Sequence, residues 1–256
     1  SVKSRGLGDV YKRQALIGAL GSIVAAWHRI RSDQDPISSN PESTYAENFL
    51  LMLGAEKITP LMTRIMDATL VLHGEHTINA STFTAMVTSS TLANASQVVA
   101  SAIGSLSGPL HGGANEKVVS MLSKIDSKDD IRPWLDDTLK AKNVVWGMGH
   151  REYSVKDPRA NILTDMVQEL FNEREGGVTD IFEKAIELEK ACEEKLAHKG
   201  VYPNVDFYSG ILYKEMDIPT DIFTPIFAMS RVSGWLSHWI EPVSYTHLTL
   251  PTILPV

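Results

Sequence analysis

Three short stretches of the 256-residue chain place a titratable side chain beside residues that fix a backbone, the combination proton-transfer chemistry requires. In residues 107–116 (SGPLHGGANE), Pro109 stiffens the approach and Gly112-Gly113 permit a tight turn before a helix, so His111 is expected at a helix N-terminus. Unpaired N–H groups and the helix dipole disfavour imidazolium there. A histidine kept neutral can donate a hydrogen bond to a developing enolate; a turn histidine with glycines for clearance fits the same residues. In residues 144–159 (VVWGMGHREYSVKDPR), Gly147 and Gly149 expose backbone N–H groups ahead of His150, and Arg159 falls in the first turn of the next helix. An arginine there opposes the dipole and makes sense beside an anion. In residues 202–209 (YPNVDFYS), Asp206 stands among Val205, Phe207 and Tyr208, where desolvation favours a base; Asn204 and Asp206 are also both capping types. His73, Glu75 and His76 (LHGEHTIN) invite a metal site, but no third strong ligand has a recognised spacing, so none is assigned. Arg231 lies in an apolar helix and calls for an anionic partner.

The elements that must hold these groups are helices. Thr59-Pro60 and Asp157-Pro158 are each a cap followed by Pro at the first helical position. The second helix is expected to present Ile162, Met166, Leu170 and Phe171. Residues 179–199 repeat apolar positions at Ile181, Ala185, Leu188, Cys192 and Leu196, Thr220 can cap a last helix reaching about Ile240, and residues 81–106 read as one long helix built to be surrounded. About ten helices and no alternating strand pattern predict an all-α fold. The apolar run from Ala15 to Trp27 is shorter than the about 20 residues a membrane span needs and is expected to be soluble core.

Net charge −7 argues against nucleic-acid and anionic-membrane partners. The single cysteine, Cys192, fits a reducing, cytoplasmic setting and a buried structural thiol. Residues 1–14 and 242–256 lack the periodicity of their neighbours; they resemble translated adapter sequence and are expected to be non-native tails.

In their order and spacing, SGPLHGGANE, VVWGMGHREY with the following DPR, YPNVDFYSG and IFAMSRVSGWLSHWIE resemble the successive signatures of citrate synthases over residues 15–241. The resemblance implies a multi-helical fold with a large domain (15–114 and 212–241) and a smaller inserted one (115–211). It also implies condensation of acetyl-CoA with oxaloacetate and hydrolysis of the thioester, a step of the tricarboxylic acid cycle. Carried over, Asp206 matches the base, His111 the group that stabilises the enolate, and His150 the donor to the oxaloacetate carbonyl. His76, Arg159 and Arg231 match oxaloacetate ligands; Val145, Gly147, Met148, Gly149 and Lys199 match CoA contacts. Ser154 stands where the family often has a basic residue, so Lys156 or Arg151 is expected to serve CoA instead. No metal or redox cofactor is implied, and the intact parent is expected to be a homodimer. Members of the family are longer, so this chain alone is expected to be a poor catalyst.

A 2-methylcitrate synthase using propionyl-CoA differs by one methylene, about 1–3 kcal/mol in a pocket. The motifs leave that alternative open. More distant are a helical metal-binding protein using His73, Glu75 and His76, and a non-catalytic helical scaffold.

Overall fold

The computed structural model describes residues 6–150, 152–173 and 177–244. Arg151, residues 1–5 of the first expected tail and residues 245–256 of the second therefore lie outside the described residues. The described residues form eleven α-helices: α1 (Gly6–Arg31), α2 (Tyr45–Leu53), α3 (Pro60–Gly74), α4 (Ala80–Ser90), α5 (Ala95–Leu106), α6 (Ala114–Leu122), α7 (Ile131–Lys140), α8 (Pro158–Glu173), α9 (Asp180–Leu196), α10 (Val205–Glu215) and α11 (Phe223–Ser244). They contain no strand; one isolated bridge pairs Met148 with Pro203. The fold is all-α. Among the described residues no helix is long and apolar enough to cross a membrane.

The chain divides into two compact units, one of residues 1–58, 66–112 and 224–256, the other of 59–65 and 113–223. One break falls at Gly112/Gly113, two residues before the expected boundary, and residues 59–65 join the second unit as well. The second expected boundary, at 211/212, lies inside α10, and the unit runs on to Phe223.

The caps explain most helix starts. The Thr59 hydroxyl accepts from the Met62 N–H, Asp157 Oδ1 from the Arg159 N–H, and Thr179 caps α9. The single helix expected over 81–106 is instead two. Leu92 takes a left-handed φ of 60°, and Asn94 and Gln97 form a capping box that restarts the chain as α5. α5 folds back on α4, where Thr88 Oγ1 lies 2.9 Å from Ser101 Oγ. Far from being surrounded, α4 leaves Phe83 60% exposed.

Three further expectations shift. α8 buries Ala160, Leu163, Val167 and Phe171, leaving Ile162 exposed, because its stripe is offset from the one read in sequence. Residues 6–14 continue into α1 without interruption, since nothing there breaks a helix and Lys12 pairs with Asp9 at 3.6 Å. In the apolar run on α1, Val24 and Ala25 are buried, whereas Ile23 and Trp27 face outward. The core of the first unit gathers Val98, Val99, Ala102 and Leu106 of α5 with Phe227, Val232, Trp235 and Leu236 of α11. In the second unit α10 packs against α6 and α8, and Gly210 is required there. A Cβ on it would sit 2.6 Å from the Asn115 carbonyl oxygen.

Candidate active site

His111 lies in the turn that closes the first unit. Its N–H donates to the Gly108 carbonyl at 3.0 Å, and Gly112 N–H reaches the Leu106 carbonyl at 2.9 Å. A Cβ on Gly112 would overlap that same carbonyl oxygen, so the turn before the helix needs glycine. The ring is half-buried, edge-on to Phe227 at 6.0 Å, with Nε2 2.8 Å from Ser81 Oγ. Burial first, and the Arg231 charge second, hold its pKa below the usual 6.5. The expected neutral form therefore has a different cause from the expected one. The first helical residue, Ala114, lies three positions further on, and desolvation carries the effect.

Ser81 is fully buried and serves three partners. Trp235 Nε1–H donates to its oxygen at 3.2 Å, its hydroxyl reaches Asn79 Oδ1 at 2.9 Å, and His111 makes the third contact. Arg231, 2% exposed, donates from Nε to the His73 carbonyl at 2.7 Å and stands 4.9 Å from the Phe227 ring centroid. The His73 ring is buried and donates from Nδ1 to the Thr69 carbonyl at 2.8 Å. Glu75 faces His238 Nε2 at 3.3 Å. These contacts give His73 and Glu75 structural employment, and no cluster of three metal-ligating side chains occurs among the described residues. His76 is half-buried beside Thr77, whose φ is 52°.

In the second unit two of the expected segments are pinned to each other. Gly149 N–H donates to the Tyr202 carbonyl at 2.7 Å, Asn204 N–H to the Gly147 carbonyl at 2.9 Å, and Asn204 Nδ2 to the Gly149 carbonyl at 2.8 Å. Gly147 and Gly149 have φ of 79° and 84°, and a Cβ on Gly147 would meet Val118 at 2.7 Å and Phe207 at 2.8 Å. The glycines thus permit a close backbone approach, and the Gly149 N–H, expected to be exposed, is instead spent on Tyr202.

His150 leads out of this pinned segment. The Glu152 N–H donates to its Nδ1 at 3.0 Å, which assigns the proton of a neutral ring to Nε2. Burial and then Arg159 lower its pKa, against the opposing charges of Asp157 and Glu152. Asp206 is half-buried in the first turn of α10. Asn204 is the N-cap, accepting from the Asp206 N–H at 3.0 Å, so Asp206 is not the capping residue. A carboxylate in a helix first turn is favoured by the dipole.

Arg159 corrects the sequence argument. The anion beside it is supplied by the chain: Asp157 accepts from Nε at 3.1 Å and from Nη2 at 2.8 Å. Burial pushes the Asp157 carboxyl up, but hydrogen bonds and charge from Arg159 outweigh it and hold the pKa below the carboxylate norm. Of the expected CoA contacts, Val145 and Gly147 are buried, Met148 and Gly149 half-buried, and Lys199 is exposed in the turn Ala197–Lys199. Lys156 is taken up by Glu189, at 2.6 Å. Sequence reasoning missed Ser81 and Asp157. The first has no sequence signal. The second stands two residues before Arg159 and could have been read as its partner.

The fold and these side chains define a class: an all-α protein in which burial lowers the pKa of His111 and His150, and in which Arg159 and Arg231 are hydrogen-bonded by the chain itself. A family model described as "Citrate synthase, C-terminal domain" matches residues 4–251. The citrate synthase of Synechocystis sp. is 50% identical over 245 residues, covering 94% of this chain and 61% of that relative. That of Acidithiobacillus ferridurans is 48% identical over 237 residues, with 93% and 61% covered. Among solved structures, a ternary complex of carboxymethyl coenzyme A and oxaloacetate with citrate synthase from Thermoplasma acidophilum matches with a TM-score of 0.87 at 32% identity, covering 97% of this chain and 66% of that one. Citrate synthase from Thermotoga maritima matches at 0.81 and 38% identity, with 93% and 64% covered. The chain belongs to the citrate synthase family, and it spans 61% of the length of the two relatives named first.

Proposed function

We propose that this protein condenses acetyl-CoA with oxaloacetate to give citrate and free CoA. The observation that carries the proposal is the family match along residues 4–251, which contains every motif quoted above. The likeness to a citrate synthase solved with oxaloacetate and a CoA analogue supports it.

The chemistry can be assigned residue by residue. Asp206 takes a methyl proton from acetyl-CoA, leaving an enolate that needs a hydrogen-bond donor at its oxygen. His111 is that donor. In the structure the single Ser81 hydroxyl proton goes to Asn79 Oδ1, so His111 Nε2 donates to Ser81. The mechanism needs Ser81 to turn that proton to Nε2 when substrate is bound, which leaves Nδ1–H to face the enolate. His150, with its proton on Nε2, donates to the oxaloacetate carbonyl as the enolate carbon attacks. The new carbon–carbon bond gives a citryl thioester, and water releases CoA as the thiol. Arg231, Arg159 and His76 hold the oxaloacetate carboxylates, with Arg159 pre-oriented by Asp157. The backbone of 145–149 and Lys199 receive CoA. Charge development is met by these donors, so we assign no metal or redox cofactor. The small domain of the family corresponds to the second compact unit on this assignment. We further assign a cytoplasmic homodimer; the outward-facing Phe83 and Val87 of α4 are consistent with burial by a second copy, and sedimentation velocity tests the stoichiometry.

The test is thiol release from acetyl-CoA with oxaloacetate, with citrate identified by NMR. Release requiring both substrates, and slower with propionyl-CoA, is expected. No release from folded protein extended to the length of its relatives, or faster release with propionyl-CoA, would overturn the assignment.

A further inference from the structure

Glu189 lies on α9, distant in sequence from every motif used above, yet its carboxylate joins two of them. Oε1 pairs with Lys156 Nζ at 2.6 Å, and Oε2 accepts the hydrogen bond of the Tyr208 hydroxyl. Lys156 Nζ in turn lies 5.4 Å from the Tyr208 ring centroid. Ion pair, hydrogen bond and cation–π contact thus close a triangle. Its members are shielded: the Lys156 and Glu189 side chains are 27% and 19% exposed, and Tyr208 is fully buried. A pair so placed is less screened than a surface one.

The two partners belong to the segments that matter. Lys156 ends the loop that starts at His150 and directly precedes Asp157, the residue that grips Arg159. Tyr208 stands two residues after Asp206 on α10. The Thr164 hydroxyl of α8, whose own proton goes to the Ala160 carbonyl at 2.7 Å, is close enough to influence the Tyr208 phenol, so α8, α9 and α10 meet there. Burial, then the Glu189 charge, raise its pKa, which keeps it a protonated donor. The backbone bonds between 147–149 and 202–204 fix the start of the loop. At its end, the Asp157 N–H reaches the Pro203 carbonyl at 3.3 Å, and the side-chain tie runs through Glu189.

We propose that Glu189 is a positioning residue: by holding Lys156 and Tyr208 at once, it sets the loop carrying His150 and the Arg159 clamp against the helix carrying Asp206. This rests on the function proposed above. It also gives Lys156 a role other than the CoA contact its sequence position suggests. Glu189 touches no reacting atom; its effect is on the placement of those that do.

The test compares Glu189→Gln, Glu189→Asp, Lys156→Met and the double variant Glu189→Gln/Lys156→Met. Glutamine keeps an acceptor for Tyr208 and removes the ion pair. Amide exchange over residues 150–157, followed by mass spectrometry, is expected to quicken at least about tenfold in Glu189→Gln and Lys156→Met, while α9 and α10 keep their protection. In the thiol-release assay kcat is expected to fall about 10- to 100-fold with KM for both substrates little changed, as misplacement of reacting groups predicts. Glu189→Asp, which retains the charge, should recover part of the rate. The double variant should be no slower than Glu189→Gln, since the pair acts as one unit. Unchanged exchange over 150–157 would overturn the proposal. So would a rise in KM for acetyl-CoA confined to Lys156→Met, which would make that lysine a CoA contact. If Glu189→Gln fails to fold by circular dichroism, Lys156→Met, the more exposed partner, decides. Should the unaltered protein, extended to the length of its relatives, release no thiol, the proposed function fails, while the exchange result still decides whether Glu189 holds the loop.

Discussion

Replacing Ser81 by alanine removes one oxygen and disturbs three partners at once. Trp235, fully buried, loses the acceptor of its Nε1–H at 3.2 Å. A buried donor left unsatisfied costs roughly 1–3 kcal/mol, and that is the expected loss in urea unfolding. His111 loses its contact at 2.8 Å, and with it the hydroxyl that the proposed mechanism uses to place hydrogen on Nδ1. Deleting an oxyanion-stabilising donor outright costs about 100- to 1000-fold in kcat. Ser81→Ala leaves the imidazole in place and frees only its tautomer and orientation, so a smaller loss, about 10- to 100-fold, is expected. Trp235→Phe is the control: it removes the Nε1–H but spares the Ser81–His111 contact, so stability should fall with little change in kcat. Stopped-time thiol release and urea titration measure both quantities on the same preparations. If Ser81→Ala loses stability but keeps its kcat, Ser81 only supports Trp235, and the tautomer argument is wrong.

Arg231→Gln should weaken oxaloacetate binding by about 10- to 150-fold, the equivalent of one charge-assisted hydrogen bond, and let the His111 pKa rise toward 6.5, readable by NMR titration, because the Arg231 charge helps hold it down. Stability should fall as pH drops below 6.5: His111, His150 and His28 all have folded pKa values below the unfolded one, so the unfolded chain binds more protons in that window; urea midpoints that stay flat from pH 7 to 5 would contradict this. Gly112→Ala should destabilise by roughly 1–3 kcal/mol through overpacking, since its Cβ would overlap the Leu106 carbonyl oxygen, and the melting temperature reports it.

Local signals were legible and non-local ones were not. Thr59-Pro60 and Asp157-Pro158 announce their helices because a cap acts within three residues of itself. The capping box Asn94–Gln97 was equally local and equally visible; the apolar character of 81–106 hid it. The offset of the α8 stripe arose because Ile162, Met166 and Leu170 are spaced as regularly as the residues that are buried. The contact between Ser81 and His111 spans 30 positions, and that between Ser81 and Trp235 spans 154. No pattern of types encodes such distances. The pinning of Gly147 and Gly149 to residues 202–204 is of the same kind: the glycines were visible, and the chain they approach was not. Arg159 was read correctly as needing an anion, but the nearer source, Asp157, was passed over.

The central claim is that Asp206 is the base that enolises acetyl-CoA. The direct measurement is kcat for citrate formation by Asp206→Asn beside the dissociation constant for oxaloacetate, the latter from tryptophan fluorescence. Asparagine cannot take a proton, so kcat should fall about 100- to 10,000-fold, with oxaloacetate binding nearly unchanged because the base acts on the other substrate. A variant that keeps most of its kcat, or whose loss lies chiefly in oxaloacetate affinity, would contradict the account.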